Sequence, residues 1–249
     1  MIAGRSFDLV RWGSTRVTAH PSLLLAAVVL VVLFAPRFDQ GPLDPYVAGL
    51  VFVVALYLSI LLHELAHVAA ARAWGLAVPR VVLHLLGGHT EIVGTRGPAQ
   101  AAVTALVGPL ASAGIAAAVF AVVATVEDAT TAQILWSLAW VNLLLAVFNL
   151  LPGLPLDGGH VVAALGWALT GRRSSGTSAT AWIGRGTALG VLALVVGFRF
   201  GEPGALPEVV LGALVAAFLW TGAGRADALA TAQRADEQHE RTPDDRSTP

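Results

Sequence analysis

Long apolar runs separated by short polar segments dominate the chain. An α-helix needs about 20 consecutive apolar residues to cross the hydrocarbon core of a bilayer. Six segments approach or exceed that length and are predicted to be transmembrane helices: residues 19–35, 46–74, 98–126, 132–151, 183–200 and 206–221. The expected fold class is therefore an all-α polytopic membrane protein with six transmembrane helices.

One stretch between the second and third predicted helices has a different pattern. Residues 78–94, VPRVVLHLLGGHTEIVG, are rich in β-branched side chains, partly alternating, and interrupted by Gly87 and Gly88. This pattern predicts a short β-hairpin or re-entrant strand segment. Strand edges are not tolerated bare in lipid, so we expect the segment to lie within protein or to line a wet cavity.

Composition supports the membrane assignment and narrows the chemistry. The chain is 56% hydrophobic and 12% charged, with a mean hydropathy of +0.72, whereas a soluble domain is about 25% charged. The net charge of −1 argues against a nucleic-acid partner. There is no cysteine, so a metal site would have to use His, Asp or Glu.

The distribution of arginine predicts the orientation. All but two of the 15 basic residues fall on one side of the predicted helices, and the exceptions are Arg37 and Arg199. The positive-inside rule therefore places both termini in the cytosol. We expect a cytosolic N-terminal segment at 1–18, a membrane domain at 19–222, and a disordered cytosolic tail at 223–249.

The sequence HELAH, residues 63–67, places ionisable side chains inside the second apolar run. Such a side chain at membrane depth costs about 2.5–3.5 kcal/mol on insertion scales. His63 and His67 are four residues apart and share one helix face, where they can bind one zinc ion. Glu64 can reach a water held by that ion and accept its proton. Hydrogen bonding to neighbouring helices, in a structural or transport role, is the alternative.

A catalytic zinc site needs a third protein ligand and an open position. Position 73, where metzincins carry a third histidine, is Ala73. Glu91 lies in the strand segment rather than on a second helix. Asp157 is the better candidate because it follows a helix that runs to the same predicted depth as HELAH, through a segment rich in Pro and Gly.

HELAH together with NLLPGLPLDGG, residues 149–159, resembles the site-2 proteases, a family of intramembrane zinc metalloproteases. The resemblance covers residues 46–169, and GPLAS at 108–112 and RVTAHPSLLL at 16–25 resemble further parts of the family. The chain resembles a compact form of the family without PDZ or CBS domains. The resemblance implies a catalytic core at about 46–170 in the plasma membrane of a bacterial cell.

The resemblance also implies a role for each matching residue. His63, His67 and Asp157 would bind Zn2+, and Glu64 would be the general base that later donates a proton to the leaving amine. Asn149 would contact the substrate backbone or the developing oxyanion.

The substrate implied by the resemblance is a single-span transmembrane protein in the lipid bilayer, such as an anti-sigma factor, which is cut within or near its helix. Gly87 and Gly88 would offer a strand edge to the unwound substrate. The alternatives are a membrane metal-binding or transport protein, a protease relative that does not cut, and a soluble-type metalloprotease on a membrane anchor with Glu91 as ligand.

Other small and polar residues are assigned structural roles from the sequence. Gly108, Ala111, Ser112 and Gly114 are predicted to serve close helix packing. His84 and His89 are expected to have structural or substrate-contact roles, and His160 is expected to support the DGG loop.

Overall fold

The computed structural model describes residues 6–39, 41–85, 87–95, 97–199, 201–202 and 204–241. Residues 1–5 of the predicted N-terminal segment and 242–249 of the predicted tail lie outside the described residues. In chain order the elements are β1 Phe7–Trp12, β2 Thr15–Ala19, α1 Ser22–Phe34, a 3-10 helix Ala35–Phe38, α2 Pro45–Ala73, β3 Ala77–His84, β4 Gly87–Val93, α3 Pro98–Val123, α4 Ala129–Asn149, α5 Asp157–Thr170, α6 Arg173–Arg199 and α7 Leu206–Arg241.

Five helices are long and apolar enough to cross a membrane: α2, α3, α4, α6 and α7. They coincide with five of the six predicted transmembrane segments. The first predicted segment forms α1, which has only 13 residues and is therefore about 20 Å long against a hydrocarbon core of about 30 Å. The predominantly helical membrane fold is confirmed, and the first helix is shorter than the other candidate spans.

The ends of α2 are set by local sequence signals. Asp44 caps the helix, because its carboxylate accepts hydrogen bonds from the backbone N–H groups of Tyr46 and Val47 at 2.9 and 3.2 Å. Pro45 occupies the first turn, where its missing N–H has no cost. Gly75 ends the helix at φ +70°, and the N–H of Leu76 reaches back to a carbonyl in the last turn.

A four-stranded sheet in the order β1-β2-β3-β4 packs against the C-terminal half of α2. β3 and β4 pair antiparallel, which confirms the predicted hairpin. β2 runs parallel to β3, and the Thr15 hydroxyl donates to the carbonyl of Val78 at 2.6 Å. Among the described residues no strand pairs with the outer edge of β4.

The described part of the chain divides into two units, one of residues 1–96 and 107–148 and the other of 97–106 and 149–249. In the first unit, Phe38 and Phe52 are fully buried where the 3-10 helix and α2 meet residues of α4. The apolar cluster of this unit also includes Ala48, Val53, Leu56, Ile134 and Leu138. This cluster packs against the N-terminal half of α2.

In the second unit, α5, α6 and α7 approach closely through small residues. A Cβ on Gly176 of α6 would lie 2.0 Å from the carbonyl oxygen of Ala163 in α5, so only glycine fits there. Beyond the apolar part of the helices, polar pairs join α6 to α7: Ser174 with Glu237, Thr177 with Gln233, Ser178 with Arg234, and Arg185 with Asp227.

The predicted disordered tail is wrong for residues 223–241, which continue α7 without interruption. This part of α7 is rich in alanine, the strongest helix former. It also has a buried stripe, Ala223, Ala226 and Ala230, at helical spacing. The low hydropathy and the many charged residues of this segment indicated disorder. The sequence alone does not show that α6 covers the buried alanine stripe.

Candidate metal centre

The HELAH side chains lie on α2 and are buried together. Among the described residues, His63, Glu64 and His67 are the only titratable side chains that are buried. The Nε2 atoms of His63 and His67 are 3.2 Å apart. Two nitrogen ligands at about 2.0–2.1 Å from one tetrahedral zinc ion lie about 3.3 Å from each other. The spacing of the two imidazoles therefore fits a shared metal ion.

Helix α3 packs directly against this pair. A Cβ built on Gly108 would lie 2.3 Å from Nε2 of His67 and 2.6 Å from Nε2 of His63, so only glycine leaves room at the metal-facing nitrogens. The hydroxyl of Ser112, which is fully buried, lies 2.9 Å from Nδ1 of His63. When Nε2 of His63 is a ligand, Nδ1 carries the proton and donates it to this oxygen, which fixes the tautomer and the ring orientation.

Strand β4 covers Glu64. A Cβ on Gly88 would lie 2.4–2.6 Å from the Cγ, Cδ and Oε1 atoms of Glu64, so the strand approaches the carboxylate as closely as backbone can. The hydroxyl of Thr90 donates a hydrogen bond of 2.6 Å to Oε2 of Glu64. Gly88 and Thr90 are two residues apart and face the same side of the strand.

Asp157 is the first residue of α5, where a carboxylate is favoured by the helix dipole. The two glycines that follow it allow close packing. A Cβ on Gly158 would lie 2.3 Å from the carbonyl oxygen of Leu150, and one on Gly159 would lie 2.4 Å from the carbonyl carbon of Gly153. The sequence does not predict α5, because a short helix after a Pro- and Gly-rich segment lacks a clear start signal.

One group of potential metal ligands is found among the described residues: His63, His67 and Asp157, whose donor atoms all lie within 4.8 Å of one another. Two imidazoles and one carboxylate are a donor set that zinc accepts in catalytic sites. The donors and the space kept open by Gly108 therefore fit Zn2+. This group contains the three residues that the sequence singled out as ligands.

Glu91, the alternative ligand, is directed elsewhere. It faces the side of β4 opposite to Thr90 and accepts a hydrogen bond of 2.7 Å from the guanidinium of Arg80. Its side chain is 37% exposed. The soluble-type arrangement with Glu91 as third ligand is therefore not the arrangement that the structure contains.

The remaining candidate residues occupy distinct positions. Asn149 is the last residue of α4 and is half-buried. Gly87 begins β4 at φ +123°, a conformation that favours glycine whatever its contacts. His84 lies on β3, and its pKa is lowered by burial and by the nearby His89 and His20. His160 is exposed on α5.

Sequence reasoning missed three residues of the site. Gly108 and Ser112 were assigned to helix packing, but they contact the two histidines. Their four-residue spacing places them on one face of α3, and the match of GPLAS to the family was the signal that could have found them. Thr90 carried no signal, because its contact with Glu64 depends on how the sheet packs on α2.

Part of the chain is similar in sequence to known proteins. Residues 124–193 match the family described as Peptidase family M50. Rip3 of Mycobacterium tuberculosis, named as a zinc metalloprotease, is 42% identical over 167 residues, which cover 65% of this chain and 40% of the relative. A protein of Synechocystis, sll0528, also named as a zinc metalloprotease, is 34% identical over 164 residues, covering 65% and 42% of the two chains. The chain thus spans about two fifths of the length of these relatives.

The fold agrees with that family. The solved structure of the site-2 protease from Methanocaldococcus jannaschii matches with a TM-score of 0.62 and 24% sequence identity, covering 90% of this chain and 95% of that one. The five long apolar helices, together with the sequence matches, support an integral membrane protein. The chain is therefore similar to Peptidase family M50 in sequence over residues 124–193 and to a site-2 protease in fold over most of its length.

Proposed function

We propose that this protein is an intramembrane zinc endopeptidase that hydrolyses peptide bonds within or near the transmembrane helix of another membrane protein. The observation that carries the proposal is the group of buried ionisable residues on α2. His63 and His67 lie at the spacing of two ligands of one metal ion, and Glu64 lies beside them. The family match and the names of the relatives support the same activity.

In this proposal His63, His67 and Asp157 hold Zn2+. A zinc ion bound there would polarise the scissile carbonyl and make water acidic enough to lose a proton near neutral pH. Glu64 accepts that proton on a carboxylate oxygen and later donates it to the leaving amine. Ser112 keeps His63 in the tautomer that leaves Nε2 free to bind the metal.

The substrate is proposed to be a single-span membrane protein, and the family resemblance favours a regulator such as an anti-sigma factor. A transmembrane helix hides its peptide bonds in internal hydrogen bonds, so it must unwind before it can be cut. The outer edge of β4, which begins at Gly87 and Gly88, would pair with the extended segment by β-addition. Asn149 would donate from its amide to the substrate backbone or to the developing oxyanion.

The positive-inside rule supports a bacterial plasma membrane location with cytosolic termini and cleavage near the cytosolic side. The membrane domain is proposed to span residues 19–222, with the catalytic core at about 46–170. A transport path would need charged groups spread across the membrane. Here the buried titratable groups among the described residues all lie within two turns of α2.

Purified protein incubated with a single-span reporter substrate in detergent tests the proposed activity. Wild-type protein should cut the reporter within or near its transmembrane segment. Glu64→Gln should retain zinc and lose cleavage, whereas Glu91→Gln, which removes a carboxylate paired with Arg80, should cut normally. Cleavage by Glu64→Gln at the wild-type rate would contradict the proposed mechanism.

A further inference from the structure

Strand β4 contacts the proposed general base at two points on one face. Gly88 allows the backbone to approach the Glu64 side chain, and Thr90 donates its hydroxyl hydrogen to Oε2 at 2.6 Å. The same hydroxyl is 3.4 Å from the backbone carbonyl of Glu64, a much longer contact. A donor–acceptor distance of 2.6 Å lies at the short end of the range for hydrogen bonds between a hydroxyl and an oxygen acceptor.

This hydrogen bond differentiates the two carboxylate oxygens. Oε2 receives the Thr90 proton, and Oε1 lies on the side of Gly88, which has no side chain to block it. The terminal torsion of a glutamate is broad and poorly fixed by rotamer preference alone. A fixed partner on one oxygen therefore defines the plane of the carboxylate and leaves the other oxygen to accept a proton.

Thr90 belongs to the strand whose outer edge has no partner strand among the described residues. Thr90 pairs with Val81 of β3 on the inner side, so the sheet fixes its position. A substrate segment added to the outer edge would be aligned with the same strand that holds the base. The side chain of Thr90 thus links the position of strand β4 to the orientation of the Glu64 carboxylate.

We propose that Thr90 is a positioning residue that orients the Glu64 carboxylate for proton transfer. The inference rests on the proposed function, in which Glu64 is the general base. Its physical basis is that catalytic groups misplaced by about 1 Å lose about 100-fold in rate. Zinc content should not depend on the hydroxyl, since its hydrogen bond goes to Glu64, which is not one of the proposed zinc ligands.

The kinetic test compares three variants on the reporter substrate. Thr90→Val keeps the shape and removes the hydroxyl, and it should lower kcat about 10- to 100-fold with KM and zinc content unchanged. Thr90→Ser keeps the hydroxyl and should cut within about 3-fold of wild type. Thr18→Val removes another buried hydroxyl of the sheet, bonded to the carbonyl of Val81, and should retain wild-type kcat. Equal kcat in Thr90→Val and wild type, or equal losses in Thr90→Val and Thr90→Ser, would overturn the inference.

Thermal unfolding of zinc-free protein tests the hydrogen bond without any activity. Thr90→Val should lower the melting temperature by about 2–4 °C in the wild-type background and by much less in Glu64→Ala, where the acceptor is gone. Equal shifts in the two backgrounds would overturn the inference, whatever the cleavage assay shows. If wild type cuts and Thr90→Val is unimpaired, only this inference fails. If wild type does not cut, the proposed function fails, and the role of Thr90 in it fails as well.

Discussion

Replacing Gly108 with alanine should disable the metal centre through a single methyl group. The new Cβ would lie 2.3 Å from Nε2 of His67 and 2.6 Å from Nε2 of His63, whereas ordinary van der Waals contact is 3.4–4 Å. One of the helices or both imidazoles must therefore move by about 1 Å. Metal–ligand distances tolerate only about 0.2 Å.

The size of the effect follows from these distances. Overpacking a buried site by one methyl group costs about 1–3 kcal/mol. Altering groups that merely orient a ligand weakens metal binding about 10- to 100-fold. The methyl group added by Gly108→Ala crowds the donor atoms themselves, so zinc should bind at least about 100-fold more weakly. Alanine favours the helical conformation by about 1 kcal/mol over glycine, so α3 should still form.

The assay is zinc content at a series of buffered free-zinc concentrations, together with cleavage of the reporter. Gly114→Ala is the matched control, because it adds the same methyl group to the same helix at a point where, among the described residues, no atom beyond the neighbouring helix backbone lies within 4 Å of the new Cβ. The control should bind zinc and cut like wild type. Wild-type zinc affinity in Gly108→Ala would refute the placement of α3 against the two histidines.

Three further outcomes are expected from other contacts. Ser112→Ala removes the partner of His63 Nδ1 and should weaken zinc binding about 10- to 100-fold in the same titration; unchanged affinity would contradict the orienting role. His84 has a lowered pKa in the folded protein, so the unfolded state binds more protons and stability falls as pH drops below about 6.5. His84→Gln should therefore reduce the fall in melting temperature between about pH 7.5 and pH 5.5, and an equally steep fall would contradict it. Glu237→Ala removes the acceptor for the N–H and hydroxyl of Ser174 and should speed limited proteolysis near the end of α7, whereas an unchanged cutting pattern would show that the contact does not hold the helix.

The sequence predicted the parts of the fold that local pattern determines. Apolar length gave the five long helices, and β-branched alternation around Gly87 gave the β3–β4 hairpin. β1 and β2 escaped prediction because β2 pairs in parallel with a strand about 60 residues later in the chain. Such pairing leaves little local signal. α5 was not predicted because it is short and lacks a capping side chain that would mark its start.

The residues of the candidate site also differ in whether local sequence pattern could reveal them. Helical spacing alone places His63 and His67 on one face, and the DGG segment drew attention to Asp157. Gly108 and Thr90 contribute only through contacts between elements. Glycine and threonine are common in packed membrane helices and strands, so neither residue type by itself indicates a functional site. Their roles emerge only when distances to the histidines and to Glu64 are known.

Zinc stoichiometry measured beside cleavage is the most direct test of the central claim, a metal-dependent protease with His63, His67 and Asp157 as ligands. The variants to compare with wild type are Asp157→Ala and Glu91→Ala, each purified in detergent and given the same reporter. We expect one zinc ion per chain in wild type and in Glu91→Ala, and loss of both zinc and cleavage in Asp157→Ala. Full zinc content and cleavage in Asp157→Ala would contradict the account.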